Sequence, residues 1–167
     1  MNVGQAAGSD DAQPVDVGSV ELLFQLGMAF QLMLEKFVRR MDAAGYADLR
    51  PVHGLVFQSL LAGASTSSEI GSALGVTKQA AGQFVNDLEE AGYVCRTEHP
   101  DGGRRRLVRL TLKGHQHLQT AGALLRELEQ ELESIFADGS SDRLRADLAQ
   151  LIMRLADGPL PPFRPNW

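Results

Sequence analysis

From Val17 to Met41 apolar side chains recur with helical spacing on two separate stripes. One is Val20, Leu23, Phe24, Gly27, Phe30, Leu34, Phe37 and Met41; the other is Leu22, Leu26, Ala29 and Met33. A helix that covers a single core needs one apolar stripe. Two stripes predict a helix buried on two sides, with a second subunit as the natural second neighbour. Asp16 or Ser19 is the expected cap, and Arg39 and Arg40 suit the negative end.

The next segments are short. Pro51 opens a helix carrying Val52, Leu55, Val56 and Leu60, and Gly63 can end it. Thr66-Ser67-Ser68-Glu69 has the spacing of a capping box, opening a helix with Ile70, Ala73 and Leu74 that Gly75 breaks. Thr77 caps a helix from Lys78 to Ala91 with the apolar face Ala81, Phe84, Val85 and Leu88, closed by Gly92. Tyr93 to Thr97 and Arg106 to Thr111 read as two strands flanking the turn His99-Pro100-Asp101-Gly102-Gly103.

A long helix is expected from Leu112 to Phe136. Its seam of Leu118, Ala121, Leu125, Leu128, Leu132 and Ile135 alternates three and four residues, a heptad-like spacing suited to a partner helix. A last helix starts at Ser141 or Asp142, carries Leu144, Leu148, Leu151, Ile152 and Leu155, and stops at Asp157-Gly158-Pro159. The pattern predicts a mainly α fold with one small β-hairpin. Residues 1–15 read as a disordered polar arm, 16–157 as the folded domain (17–44 and 112–157 dimerisation helices, 51–111 a DNA-binding lobe), and 158–167 as a Pro-rich tail.

Charge sharpens this picture. The chain is acidic overall, at −5. Yet Tyr93 to Gly114 holds Arg96, Arg104, Arg105, Arg106, Arg109 and Lys113 against only Glu98 and Asp101. A local basic patch on an acidic protein still attracts phosphate, while the acidic remainder keeps it soluble. Charges interrupt the apolar stretch from Val20 to Met41, so no membrane span or signal peptide is expected. The single cysteine, Cys95, permits no internal disulfide and suits a cytoplasmic protein.

Two short helices joined at Leu74-Gly75-Val76-Thr77 form a helix-turn-helix. Burying Ala81, Phe84, Val85 and Leu88 leaves Lys78, Gln79, Gly82, Gln83 and Asn86 outward. Glutamine pairs bidentately with adenine, lysine reaches guanine or phosphate, and Gly82 lets the helix approach a groove. The hairpin that follows puts Arg104 and Arg105 at its tip, where arginine is favoured in a narrow minor groove. The candidate DNA contacts are therefore Ser67, Thr77, Lys78, Gln79, Gln83 and Asn86 on the helices and Arg96, Arg104, Arg105 and Arg106 on the hairpin. The alternative is a winged-helix protein-interaction module without DNA readout.

No catalytic constellation stands out: no Ser/His/Asp set, phosphate-binding Gly loop or carboxylate pair. His115 and His117 are two apart on a helix and point in different directions, so no metal site or cofactor is expected. His53 reads as a packing or helix-end residue. Cys95 lacks a resolving partner and reads as structural.

The segment Gly75-Val76-Thr77-Lys78-Gln79-Ala80-Ala81-Gly82-Gln83-Phe84-Val85-Asn86-Asp87-Leu88-Glu89-Glu90-Ala91-Gly92-Tyr93-Val94 resembles the recognition helix of the MarR family of bacterial winged helix-turn-helix regulators. Asp101 through Gly114 is similar to that family's wing, second wing strand and start of the long dimer helix, with Gly102 where the family usually carries an acid two before the wing arginine. The resemblance implies a homodimer formed by the first and last two helices, with Leu23, Phe24, Leu125, Leu128, Leu132, Leu148 and Ile152 as the dimerisation residues. It implies a pseudo-palindromic DNA operator, usually under repression. It also implies release by a small, often aromatic or phenolic effector, for which family-like geometry suggests a pocket near Phe30, Leu34, His53, Phe57 and His117. Oxidation-sensing members carry a cysteine near the start of the first helix, and this chain has none there.

Overall fold

The computed structural model describes residues 16–100, 102, 105–136, 139–156, 158 and 160. The expected arm (1–15), most of the Pro-rich tail and the wing-tip residues Asp101, Gly103 and Arg104 lie outside the described residues. The chain divides into two units, Met1–Lys36 and Phe37–Trp167, with the division inside the first long helix.

In the first unit the helix starts later than its apolar stripe. Val17–Ser19 forms a 3-10 turn capped by Asp16, whose carboxylate accepts from the Gly18 N–H at 3.1 Å. Ser19 Oγ donates to the Asp16 carbonyl, and Val20 is extended. Glycine and a serine bonded to the local backbone both disfavour an α-helix start. The α-helix proper, α1, spans Leu22–Met41. Leu22, Leu23, Phe24 and Phe30 are exposed in the single chain, and Leu34 is half-buried.

In the second unit α1 ends in a π-helical turn, Asp42–Tyr46, where Gly45 takes φ +94°. Helix α2 (Pro51–Leu61) begins with proline at its first position. Its first turn closes on Arg50, whose N–H donates to His53 Nδ1 at 3.1 Å while the His53 N–H donates back to the Arg50 carbonyl. Helix α3 (Ser67–Leu74) starts at the expected capping box: Glu69 N–H donates to Thr66 Oγ1, and Thr66 N–H donates to Glu69 Oε2. Gly75, left-handed at φ +70°, stops it. Helix α4 (Lys78–Glu90) follows, with Thr77 Oγ1 accepting from the Ala80 N–H. The two helices pack closely at Gly71, where a Cβ would stand 3.1 Å from the Val76 carbonyl oxygen and 3.4 Å from Ala81 Cβ.

The hairpin pairs β1 (Val94–Glu98) with β2 (Arg106–Leu110) in antiparallel register, from Val94 opposite Leu110 to Glu98 opposite Arg106. The Val108 N–H donates to the Ser65 carbonyl at 2.7 Å, which ties the hairpin to the loop before α3. The core beneath consists of Val56, Phe57, Ile70, Ala81, Val85, Leu88, Tyr93, Val94 and Val108. Burying these side chains is the main term holding the lobe together.

Helix α5 (Leu112–Ile135) leaves the lobe through a fixed joint. Thr111 Oγ1 donates to the Gly92 carbonyl, Lys113 Nζ donates to the Ala91 carbonyl, and Gly114 lies so close to Tyr93 that a Cβ would sit 2.3 Å from its carbonyl oxygen. The start of α5 is thus clamped to the end of α4. Helix α6 (Ser140–Leu155) begins after the left-handed Gly139. The expected α5 seam does not form one uniformly exposed face. Leu125 and Ile135 are exposed, Leu132 is half-buried, and Leu128 is buried within the chain itself. On α6, Leu148 is half-buried and Ile152 exposed. Among the described residues, no helix is long and apolar enough to cross a membrane.

Candidate nucleic-acid interface

Helix α4 is two-faced. Ala81, Val85 and Leu88 are buried in the lobe core, while Lys78, Gln79, Gln83 and Asn86 are exposed. Its first turn carries the positive end of the helix dipole, strengthened by the charge of Lys78. Lys78 and Gln79 have no side-chain partner among the described residues. A Cβ added at Gly82 would meet nothing within 4 Å, so no steric need inside the chain explains this glycine.

The rest of the outward face is held by a polar network. Gln83 Nε2 donates to Asp87 Oδ1 at 2.8 Å, leaving the Gln83 carbonyl oxygen directed by its anchored amide. Asp87 in turn pairs with the Arg50 guanidinium and stands 3.7 Å from His53 Nε2. The Gln83 hydrogen bond, with Arg50 and His53 adding their charge, holds the Asp87 carboxyl below the usual carboxylate range. Burial and the Arg50 charge hold His53 below the usual imidazole range, against the pull of Asp87. Sequence reasoning did not single out Arg50 or Asp87. The spacing of Gln83 and Asp87, four apart on one helix, carried that signal.

Arg96, expected among the DNA contacts, is held by partners inside the lobe. Its guanidinium pairs with Glu89, donates to Asn86 Oδ1 at 2.7 Å, and reaches the Gly82 carbonyl at 3.4 Å. Its own N–H donates to Glu89 Oε1. Arg96 staples β1 onto α4 and takes up an acceptor position of Asn86, so its guanidinium is committed within the lobe. Ser67 is the half-buried first residue of α3, and Thr77 spends its hydroxyl oxygen as the α4 cap. Arg106 lies 3.6 Å from Glu98 in a solvent-exposed cross-strand pair, and Arg105 is exposed. Arg104 is outside the described residues.

Of the residues suggested for an effector pocket, His53, Phe57 and His117 lie buried in the second unit. Phe57 and His117 pack on each other at 4.8 Å between ring centres, and Tyr46 and Tyr93 close around His117 at 4.9 and 5.7 Å. His53 is spent on Arg50 and Asp87. Phe30 and Leu34 belong to the other unit. Among the described residues His117 Nδ1 is buried without a partner, and burial pulls the imidazole down to about 4. Beside this cluster the Tyr93 hydroxyl donates to Asp48 Oδ1 at 2.8 Å, and Lys113 Nζ sits 4.0 Å above the Tyr93 ring and 3.6 Å from Asp48. Burial and the hydrogen bond to Asp48 push the Tyr93 phenol well up. Among the described residues, no group of three or more His, Cys, Asp or Glu side chains is placed to hold a metal ion.

The helical pair, its exposed amide-rich face and the adjoining hairpin define a winged helix-turn-helix lobe set between long helices, the fold of MarR-type transcription regulators. Residues 47–105 match the family profile described as MarR family. Among solved structures, MepR, a transcription regulator of the Staphylococcus aureus multidrug efflux pump MepA, is similar with a TM-score of 0.68 at 19% identity, over 81% of this chain and 99% of that one. YusO from Bacillus subtilis is similar with a TM-score of 0.65 at 21% identity, over 83% and 99%. PcaV from Streptomyces coelicolor, solved in complex with its natural ligand, reaches 0.58 at 22% identity, over 87% and 98%. MepR has also been solved in complex with DNA, and that structure matches with a TM-score of 0.63 at 19% identity, over 81% and 99%. At these identities the likeness is one of fold. No curated protein matches the chain in sequence.

Proposed function

We propose that this chain is a sequence-specific DNA-binding transcriptional regulator that binds a pseudo-palindromic operator as a homodimer, acts as a repressor and responds to a small-molecule effector. The observation that carries the reading is the exposed face of α4. Lys78, Gln79 and an amide-anchored Gln83 project from a helix whose opposite side is core, the arrangement a major-groove reader needs. The MepR–DNA complex, of the same fold, supports the reading.

Dimerisation is supported by apolar surface that water would otherwise meet. Leu23, Phe24, Leu125 and Ile152 are 77, 61, 48 and 51% exposed in the single chain. Exposed apolar residues on long helices are a mark of a partner surface. A two-fold dimer presents two copies of α4 to half-sites about 10 base pairs apart, or a multiple of one helical turn.

The test is selection of bound fragments from random DNA, followed by titration of the recovered site and a scrambled one at several salt concentrations. The expected result is an inverted repeat bound at least about a thousandfold more tightly than scrambled DNA. Equal affinity for both DNAs would overturn the reading.

A further inference from the structure

Two amide side chains on the outward face of α4 are held in opposite senses. Gln83 and Asn86 lie three residues apart, so they are neighbours on one face of the helix. Gln83 is held by its nitrogen, with Nε2 donating to Asp87 Oδ1 at 2.8 Å. Asn86 is held by its oxygen, with the Arg96 guanidinium donating to Oδ1 at 2.7 Å. A free amide turns over to offer either its oxygen or its NH2 to what it meets. Here the partner fixes the turn, which suits Asn86 to an acceptor and Gln83 to a donor.

Asp87 constrains Gln83 strongly. Its carboxyl, held below the usual range by the Gln83 hydrogen bond and the charges of Arg50 and His53, is ionised at neutral pH and can only accept. It pairs with the Arg50 guanidinium and stands 3.7 Å from His53 Nε2, so it is anchored to the foot of α2 as well. Turning the Gln83 amide over would set its carbonyl oxygen against this anion. The nitrogen end therefore stays with Asp87. What remains for a partner is the carbonyl oxygen, an acceptor, with the second N–H beside it. In the major groove adenine offers the donor N6–H beside the acceptor N7, the complement of that pair. Guanine offers two acceptors and would set O6 against the Gln83 oxygen. Thymine offers O4, also an acceptor, and cytosine a donor with no acceptor beside it.

We propose that Gln83 reads an adenine in each operator half-site, and that Asp87 makes this choice by holding the amide in one orientation. The proposal rests on the reading of α4 as the major-groove helix and adds the base which that helix selects. Gln83 touches the base, whereas Asp87 acts through Gln83 and is a positioning residue.

The test starts from the operator selected from random DNA. The position read by Gln83 is the one at which Gln83→Ala loses base preference. The parent chain is titrated with operators carrying adenine, guanine, 7-deazaadenine or 2-aminopurine at that position; the two analogues lack N7 and the 6-amino group respectively. Guanine should lower affinity about tenfold or more, and each analogue severalfold. Asp87→Asn, whose side chain both donates and accepts, should reduce the adenine-to-guanine affinity ratio severalfold. A purely structural role for Asp87 would lower affinity for both DNAs alike and keep the ratio. Gln83→Arg, with a donor-only side chain, should come to prefer guanine. Unfolding curves verify that the variants stay folded. A G·C pair at the Gln83 position, full affinity for both analogues, or a Gln83→Ala profile with no relaxed position overturns the proposal. So does an unchanged ratio in folded Asp87→Asn. Those outcomes leave sequence-specific binding intact. Equal binding of operator and scrambled DNA by the parent would instead overturn the reading of α4 itself, and the proposal with it.

Discussion

Gln83 donates its side-chain amide to Asp87 across one turn of α4, and Asp87 is itself gripped by Arg50 from the foot of α2. Gln83, the base reader under the proposed function, is therefore oriented by a carboxylate whose own position is set by the foot of another helix. A preorganised side chain loses less conformational freedom on binding than one that swings freely.

This coupling separates two variants. Gln83→Ala removes the reading group and should cost roughly 1–3 kcal/mol on the selected operator, relaxing preference at one position per half-site while leaving the salt slope unchanged. Asp87→Ala keeps the glutamine but frees it, and leaves His53 and Arg50 without their carboxylate. It should lower affinity for the operator by a smaller factor and shift the unfolding midpoint of the lobe to lower denaturant. Titration of both variants against operator DNA, with denaturant unfolding alongside, checks this. An Asp87→Ala protein that binds and unfolds like the parent would remove the positioning role.

Arg96 sits on the basic hairpin but is consumed by Glu89, Asn86 and Gly82. Arg96→Ala should therefore act on stability, by about 1–2 kcal/mol, and leave the salt dependence of DNA binding close to the parent's. Arg105→Ala, at an exposed wing position, should show the reverse pattern: parental stability with the salt slope reduced by about one unit. The two measurements are an unfolding curve and affinity as a function of salt concentration. A reduced slope in Arg96→Ala at unchanged stability would return that residue to the phosphate contacts.

His117 makes stability depend on pH. Its imidazole lies in a ring of Tyr46, Phe57 and Tyr93, and burial holds it neutral down to about 4, against an ordinary value of 6.5. Between those values the unfolded chain binds a proton that the folded chain excludes, so stability falls as pH falls. The contribution is fully present above about pH 6.5 and is lost progressively towards pH 4, on the order of 3 kcal/mol in all. His53, shifted the same way by burial, adds to the same window. His117→Phe should flatten most of this slope and also remove the unpartnered Nδ1. Urea unfolding at pH 7, 6 and 5 provides the measurement; an equally steep loss in the variant would assign the acid sensitivity to other groups.

For association, exposure distinguishes the candidates. Leu125→Glu and Ile152→Glu place charges on positions exposed in the single chain, so each variant should stay folded yet sediment as a monomer at micromolar concentration. Leu128→Glu instead strikes a residue buried within the chain and should unfold it by several kcal/mol. A parent protein that is monomeric under the same conditions would rule out the proposed dimer.

Much of the lobe was legible in the sequence because its signals are local. The Thr66–Glu69 capping box, the left-handed Gly75, the Thr77 cap and the apolar face Ala81, Val85 and Leu88 each act within a turn or two of chain. The structure reproduces them within a residue at most boundaries. The same locality made the outward position of Lys78, Gln79 and Gln83 predictable. Helix α1 starts at Leu22 rather than near Val17 because Gly18 and Ser19 bond locally to Asp16, and that bonding wins over periodicity.

What the tertiary structure decided were the pairings between residues far apart in sequence. The pairing of Arg96 with Asn86 and Glu89 is of this kind, because only folding β1 back along α4 brings these residues together. Leu128 and Leu125 share a heptad seam, yet one is covered by its own chain and the other is not. Phe57 and His117 lie far apart in sequence, and only the fold packs their rings together beside the two tyrosines. Periodicity states which face of an element is apolar, whereas the atoms that come to cover that face, or to neutralise a charge upon it, are fixed by where other elements dock.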